Sequence, residues 1–355
     1  MDEHPSPAIR LNNIQALRGL AAMLVVLAHL ALIEVKHGGD KLLPGFLRFG
    51  VSGVDLFFAI SGFIMVYVTW SSQRNARQSM KFLFARITRI YPIYWLISAA
   101  LFVVWLFKPS VMSYELTPMK LIKSVLLWPD IGLPMLQVAW TLIHEMYFYL
   151  IFALILLLPK RFLMPALGLW ALILISGNLS GLGNSGPEMA LIFNPLTAEF
   201  FLGAIAGWCF MKFEKNFAEA CLILGAASFL GSYIYLAITL DAGIYPSNWA
   251  RVFYFGLPAA FMIYGLSAIE RLGVVVPKWS STFGDWSYSL YLTHILSLSL
   301  IGYIWQPFAR SGYLDNIIAL CILLIATIIV AALSWYMFER PMLLLFKTIR
   351  QKLFP

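Results

Sequence analysis

The sequence predicts an all-α integral membrane protein, a bundle of about ten transmembrane helices with both termini in the cytoplasm. Three observations carry this expectation. Hydrophobic residues make up 61% of the 355 and charged residues only 12%, where a soluble domain carries roughly 25% charged; the mean hydropathy is +0.81. The apolar residues gather into runs of roughly 18 to 22, the length that crosses a hydrocarbon core. Lys and Arg are shared unequally between alternate connections. In lipid only helices and closed barrels satisfy their own backbone, and runs this long and continuous are helices.

The spans fall at 16–33, 50–70, 89–107, 138–158, 162–179, 194–212, 219–239, 250–269, 286–306 and 316–338. The first follows Arg10 and Arg18 and lacks a small-residue cleavage site behind it, so it reads as an uncleaved span and not a secretory leader. The turn His37-Gly38-Gly39-Asp40 separates it from the second, where Gly53 and Gly62 admit close backbone approach. Arg74, Arg77, Lys81, Arg86 and Arg89 lead into the third. The connection 108–137 leads to the fourth, and Lys160 and Arg161 to the fifth. Turn residues at Ser176-Gly177-Asn178 and from Gly181 to Pro187 precede the sixth. Lys212 and Lys215 mark the way to the seventh, Asp241-Ala242-Gly243 to the eighth, and Arg271 and Lys278 to the ninth. No fixed-period repeat or low-complexity linker interrupts the chain, so it reads as one domain over 1–355 with short cytoplasmic tails at 1–15 and 339–355.

Orientation follows from the basic residues alone. With the N-terminus inside, the inner segments hold 17 of the 25 Lys and Arg; the remaining eight are Lys36, Lys41, Arg48, Lys108, Lys120, Lys123, Arg251 and Arg310. The net charge of +8 is this topology signal together with attraction to anionic membrane lipid. It is spread over loops and not gathered on one face, so nucleic acid is excluded as a partner. Cys209, Cys221 and Cys321 are odd in number and lie in or beside apolar runs, which gives neither a disulfide framework nor a metal site.

Polar residues at bilayer depth cost several kcal/mol unless they face protein or water. Those inside the spans are His29, Asp55, His144, Glu145, Glu199 and His294, while His4 and His37 fall in tails or loops. The expected topology puts His29, Asp55, Glu145 and Glu199 at one depth, which permits a base and an orienting acid in one cavity; the same spacing serves equally for a polar network that fixes helix packing. Arg18 and His29 are eleven residues apart, three turns plus about 20°, so both point from one face roughly 16 Å apart. Arg86 and Arg89 share a face at i and i+3, and paired guanidinium forks suit phosphate, although basic residues here also serve topology alone. Ser287, Tyr291 and His294 form a polar stripe at i, i+4 and i+7, with Tyr288 and Ser289 beside it. Such a stripe lines an internal passage or hydrogen-bonds between helices. His144, turned 100° from Glu145, reads as packing.

Several segments carry a further likeness: Gln15-Ala16-Leu17-Arg18-Gly19-Leu20-Ala21 with His29; Gly53-Val54-Asp55-Leu56-Phe57-Phe58 followed by Ser61-Gly62-Phe63; Arg86-Ile87-Thr88-Arg89-Ile90-Tyr91-Pro92; Trp140-Thr141-Leu142 with Glu145 and Phe148-Tyr149; Ser287-Tyr288-Ser289-Leu290-Tyr291-Leu292 with His294; and Glu339-Arg340-Pro341. Each is short. Together, in this order over 15–341, they make the chain resemble the membrane acyltransferase-3 family, and within it the exopolysaccharide O-acetyltransferases. The resemblance implies a multi-pass protein of the bacterial inner membrane with no tightly bound cofactor. It implies transfer of an acyl group, most simply acetyl, from cytoplasmic acyl-coenzyme A to a hydroxyl of an exopolysaccharide or lipid-linked oligosaccharide, with polysaccharide-assembly proteins as further partners. By position, His29 is similar to the family's essential histidine, Arg18 to its partner, and Arg86 and Arg89 to the pair at the donor. Tyr291 and His294 of the stripe are placed with the donor, and Asp55 or Glu145 orients His29. Some members carry a fused extracytoplasmic transferase domain, whereas this chain ends some 17 residues after its last span, so such a step is expected from a separate protein. The connection 108–137 is the long outer loop available to an acceptor. Two other classes fit polar residues at depth: a transporter or flippase of a glycan or small solute, which coenzyme A binding would separate, and a non-catalytic partner that presents acyl groups to another transferase.

Overall fold

In the computed structural model the described residues are 10–109, 115–213, 216–240, 245–310 and 312–354. His4, Lys215, the turn Asp241-Ala242-Gly243 and positions 110–114 of the long connection lie outside them. The described chain is helical throughout, with no strand among the described residues. It divides into two compact units. One comprises 68–201 and the chain from 336 onward, the other 7–67 and 202–335.

Nine helical stretches among the described residues are long and apolar enough to cross a bilayer. In chain order the helices are α1 (Asn12–His37), α2 (Gly53–Thr69), α3 (Ala76–Phe107), α4 (Pro118–Leu126), α5 (Trp140–Ile155), α6 (Leu163–Leu179), α7 (Pro187–Ile192) and α8 (Thr197–Lys212). There follow α9 (Ala218–Thr239), α10 (Asn248–Arg251), α11 (Leu257–Arg271), α12 (Lys278–Asp285), α13 (Ser287–Trp305), α14 (Tyr313–Ser334) and α15 (Arg340–Leu353). The ninth expected span corresponds to α13, which is 19 residues long but is not among the nine apolar stretches. Its serines, tyrosines, threonine and histidine dilute its hydropathy, and eleven of its residues, His294 included, are buried in protein. Protein, not lipid, is the solvent for this helix.

The unit of 7–67 and 202–335 is organised around α1. Its free N-terminal N–H groups meet the Glu270 carboxylate of α11: Asn12 N donates to Oε1 at 2.7 Å and Asn13 N to Oε2 at 2.8 Å. A carboxylate here satisfies two orphan donors and meets the positive end of the helix dipole. The Asn13 amide donates to the Leu266 and Val274 carbonyls and accepts from Val276 N. In the last turn of α1, buried Glu34 accepts from Leu42 N and Leu43 N and so folds the following turn. The core joins Ala22, Val26, Leu30 and Ile33 of α1 to Leu290 and Leu298 of α13 and Leu320, Leu323 and Ala331 of α14. Gly53 packs directly on α1, where a methyl group would overlap the Ala21 carbonyl oxygen. The α9–α11 pair is closed by Gly225 against Pro258 O and Gly265 against Ala218 O, each with room for hydrogen alone.

In the other unit α3 starts thirteen residues before the apolar run, because Asn75 caps it by accepting from Gln78 N at 2.9 Å. Ser79 Oγ donates to Ala153 O, tying α3 to α5. Phe148 of α5 stacks on Phe200 at 4.4 Å between ring centroids and on Trp170 of α6 at 5.5 Å. The short α4, capped by Thr117 with Pro118 at its first position, is held against α3 at its C-terminal end: Tyr91 Oη, Tyr94 Oη and Trp95 Nε1 donate to the Leu126, Ser124 and Val125 carbonyls. The expected C-terminal tail is instead the amphipathic helix α15. It lies along α3, with Lys81 Nζ donating to Phe354 O and Phe84 against Phe346 and Phe354. None of its residues is fully buried, and its apolar face is too interrupted to register as a span of its own, so sequence reading passes over it.

The glycine contact with α1 yields a stability test. Gly53→Ala places a methyl on a backbone oxygen and is expected to lower the melting temperature in detergent by several degrees. Gly231→Ala in α9, where nothing lies within 4 Å of the added carbon, gains helix propensity of up to about 1 kcal/mol and should leave melting unchanged or raised. Scanning fluorimetry of the two purified variants distinguishes these outcomes.

Candidate active site

Two histidines meet across α1 and α13. His294 Nε2 lies 3.4 Å from His29 Nδ1, and the rings pack edge to face with centroids 4.9 Å apart. Each Nδ1 also faces a carbonyl of its own helix: Val25 O at 2.8 Å for His29, and Tyr291 O at 2.7 Å for His294. A carbonyl only accepts, so each Nδ1 carries hydrogen. His294 Nε2 is therefore a lone-pair acceptor, and the His29 Nδ1–H is shared between it and Val25 O. The same assignment leaves His29 Nε2 without a proton, and no described residue hydrogen-bonds it. A neutral imidazole with a fixed tautomer and an open Nε2 is the arrangement of a general base or nucleophile.

The stripe on α13 faces inward as its polarity requires. Ser287 and His294 are fully buried and Tyr291 nearly so. Tyr291 packs edge-on to Phe57 and tilts against His294, each at 5.8 Å. Ser287 Oγ is buried without a hydrogen-bond partner, whereas Thr293 and Ser297 bond back to carbonyls of their own helix and serve packing. Arg18, near the start of α1, donates from Nη1 to Gln15 Oε1 at 3.1 Å. A larger cavity of about 690 Å³, lined by Met23, Lys278, Trp279, Thr282, Phe283 and Trp286, opens on another side of α1, since Met23 is turned about 140° from Arg18.

Asp55 is not the acid that orients His29. Its fully buried carboxylate is taken by Arg251, which donates from Nε at 3.1 Å and Nη2 at 2.8 Å. Arg251 ends α10 and is followed by a π-helical turn, Val252–Gly256. Sequence reading counted Arg251 only as an outer-side charge; its signal was a lone arginine at a span terminus on the side expected for Asp55. Glu199 is fully buried at the start of α8.

In the other unit Glu145 accepts a short hydrogen bond from Tyr149 Oη one turn along α5. Arg86 hydrogen-bonds Tyr149 and lies within the field of Glu145 and Arg89. Its guanidinium sits 5.6 Å from the Phe82 ring centroid and 5.8 Å from that of Tyr149, and its Nε is buried without a partner. So Arg86 and Glu145, assigned separately from sequence, belong to one network through Tyr149. At the far end of α5, Arg74 buries all three guanidinium nitrogens unpartnered, which lowers its pKa from the ordinary guanidinium range. Its charge is felt by Lys160, which lies 3.9 Å over the Trp70 ring. His144 donates from Nδ1 to Trp140 O at 3.0 Å and packs edge-on to the Trp140 ring. Among the described residues no cluster of three or more His, Cys, Asp or Glu could hold a metal ion.

The profile of a family described as "Acyltransferase domain" matches residues 11–336, nearly the whole described chain and both units. The chain belongs to this acyltransferase family. Over 331 residues it is 27% identical to the "Exopolysaccharide production protein ExoZ" of Rhizobium meliloti (strain 1021), covering 86% of this chain and 93% of that one. Over 302 residues it is 32% identical to the "Putative acetyltransferase ORF330" of Acidianus two-tailed virus, covering 82% and 84%. No solved structure matches it. The protein is thus a multi-pass membrane acyltransferase.

The buried ion pair makes a second test. Asp55→Ala strands the Arg251 charge and is expected to cost about 3–5 kcal/mol, whereas removing both partners costs less. Thermal unfolding of Asp55→Ala, Arg251→Ala and the double variant should therefore show the double variant more stable than Asp55→Ala. Strict additivity of the two single effects would exclude the pairing.

Proposed function

We propose that the protein is an O-acetyltransferase of the bacterial inner membrane, with both termini cytoplasmic, that moves acetyl from cytoplasmic acetyl-coenzyme A to a hydroxyl of an exopolysaccharide or lipid-linked glycan. The observation that carries the chemistry is the placing of His29 Nδ1 beside Val25 O and His294 Nε2, which assigns the proton to Nδ1 and leaves Nε2 with no protein donor. Membership of the acyltransferase family supports the reaction class, and the names of the two relatives support the acyl group and the acceptor.

In this reading His29 Nε2 takes the proton of the glycan hydroxyl as its oxygen attacks the thioester carbonyl. The C–O bond forms, the C–S bond breaks, and the coenzyme A thiolate leaves and recovers a proton from the imidazolium. His294 Nε2 accepts from His29 Nδ1–H and stabilises the charged ring while the proton is held. Arg86 and Arg89 hold donor phosphates, and the unpartnered Arg86 Nε supports this. Tyr291 lines the way for the donor's arm.

Replacing the base should lower turnover by about 10²–10⁴-fold. His29→Ala is expected to abolish detectable acetyl transfer and to leave coenzyme A affinity nearly unchanged; wild-type turnover in His29→Gln would move proton abstraction to another group. His294→Ala should lower kcat about tenfold to a hundredfold, the value of one hydrogen bond to a charged group, and His294→Gln should recover part of it through its amide oxygen. Arg86→Ala with Arg89→Ala should weaken coenzyme A binding by about tenfold or more per arginine, read by calorimetry on the folded protein. Unchanged affinity in the double variant would reject the donor assignment.

A further inference from the structure

The first unit contains a second, smaller cavity. Its volume is about 160 Å³, and the side chains that shape it include Ser124, Trp128, Asp130, Trp140, His144 and Asn194. They come from the end of α4, the loop behind it, the start of α5 and the turn between α7 and α8. Ligand pockets for drug-sized molecules run to roughly 300–1,000 Å³, so this one admits a single ring and not a nucleotide. It lies at the end of α5 opposite Lys160 and Arg74.

Its walls are held in place from behind. Leu127 adopts a left-handed conformation at φ 52° and Gly132 at φ 83°, which turns the loop sharply on both sides of Trp128-Pro129-Asp130. Lys123 Nζ binds Asp130 Oδ1 at 2.9 Å, and Lys120 Nζ donates to Ile131 O. Ser124 Oγ accepts from Met135 N, closing the loop onto α4. Trp128 Nε1 donates to Glu188 Oε1 at 3.0 Å, so the indole is fixed by its edge while 53% of the residue stays exposed. Burial alone would raise the Asp130 pKa, but the Lys123 contact and the Ile131 backbone outweigh it and hold the carboxyl below its usual range. Asp130 is therefore ionised at neutral pH, a pure acceptor held beside Lys123.

Flat aromatic faces, a fixed carboxylate, an amide and a hydroxyl around a one-ring volume match the chemistry of a sugar. Its C–H face lies on indole, and its hydroxyls donate to carboxylate and amide oxygens. We propose that this cavity is a subsite for one pyranose residue of the acceptor glycan, with Trp128 and Trp140 as the aromatic walls and Asp130 and Asn194 as the hydroxyl partners. The proposal rests on the reading that the acceptor is a glycan. It assigns a specific place on the chain to acceptor recognition, on a unit that also carries the Arg86–Tyr149–Glu145 network, and the adjacency of His144 and Glu145 in sequence puts the subsite next to that network along α5.

The test uses the full-length protein in nanodiscs. The probes are oligosaccharides released by partial acid hydrolysis from the de-O-acylated surface polysaccharide of the cells that make it. Binding is measured by calorimetry for the wild type, Trp128→Ala and the near-isosteric Asp130→Asn, with melting temperatures as the check on folding. Saturable binding by the wild type, weakened about tenfold or more in both variants, with coenzyme A affinity unchanged, is the expected result. The acceptor KM in the transfer assay should rise in parallel, while the donor KM does not. Oligosaccharide binding that is absent from the wild type, or equally tight in Asp130→Asn, overturns the subsite. If the wild type acetylates the polysaccharide and the variants keep its acceptor KM, the subsite fails while the O-acetyltransferase reading stands. If the variants lose binding but even the wild type transfers nothing, the subsite stands and the transferase reading fails.

Discussion

A polar group inside a bundle of this composition has no water to turn to. Leaving an amide or hydroxyl without a partner in apolar surroundings costs a few kcal/mol, and a lone charge costs more. That constraint shapes both units. It explains why α1 begins on a carboxylate from α11, since the Asn12 and Asn13 N–H groups would otherwise be buried bare. It explains why the Glu34 carboxylate is spent on two backbone N–H groups of the next turn, and why Asp55 and Arg251 are paired through two hydrogen bonds. Once these groups are accounted for, the exceptions carry the information. Arg86 Nε, Ser287 Oγ and the Arg74 guanidinium are buried and unpartnered. Each is a place where the fold has left binding capacity unspent.

The same constraint bears on the choice of partner for His29. A carboxylate at Nδ1 would stabilise the imidazolium more strongly, but it would have to be buried as a bare anion in the resting protein. A second imidazole avoids that. His294 is neutral in the tautomer set by Tyr291 O, so the pair carries no charge until a proton is taken, and the resting site needs no counter-ion. The ionisable carboxylate expected for the role, Asp55, is instead neutralised by Arg251. A neutral acceptor gives less stabilisation to the charged base, and in exchange it keeps that base unprotonated and ready.

Much of this was legible in the sequence, and the residues show where legibility stopped. Hydropathy located the nine stretches that are long and apolar enough to cross a bilayer among the described residues, and it marked α13 as a tenth, whose polar stripe instead makes it protein-facing. It missed α15 and the early start of α3, because both are amphipathic and their apolar faces are too narrow to appear in a window average. Motif spacing singled out His29, His294, Arg86 and Glu145. It could not join them, because partners across helices depend on how each helix is rotated about its axis. His29 and His294 are 265 residues apart, and nothing local to either records that they touch. Asp55 failed for the same reason: a common depth is one coordinate of three, and Arg251 held the other two.

Arg86 illustrates how one side chain can serve packing and ligand binding together. Its guanidinium bonds Tyr149, whose hydroxyl in turn donates to Glu145, and the Phe82 and Tyr149 rings flank it. Those contacts fix its position without exhausting it, since a guanidinium presents five N–H donors in one plane. The unused Nε is therefore held in a defined direction by the groups that bind the rest of the fork. A lysine at the same place would have its single charge drawn toward Glu145 and would offer no second, pre-aimed donor. In the proposed donor role the anion thus meets an arginine already ordered by its neighbours, so the side-chain entropy that binding would otherwise cost has been lost on folding. The network with Glu145 then aids phosphate recognition by positioning, although the carboxylate itself opposes an anion by charge.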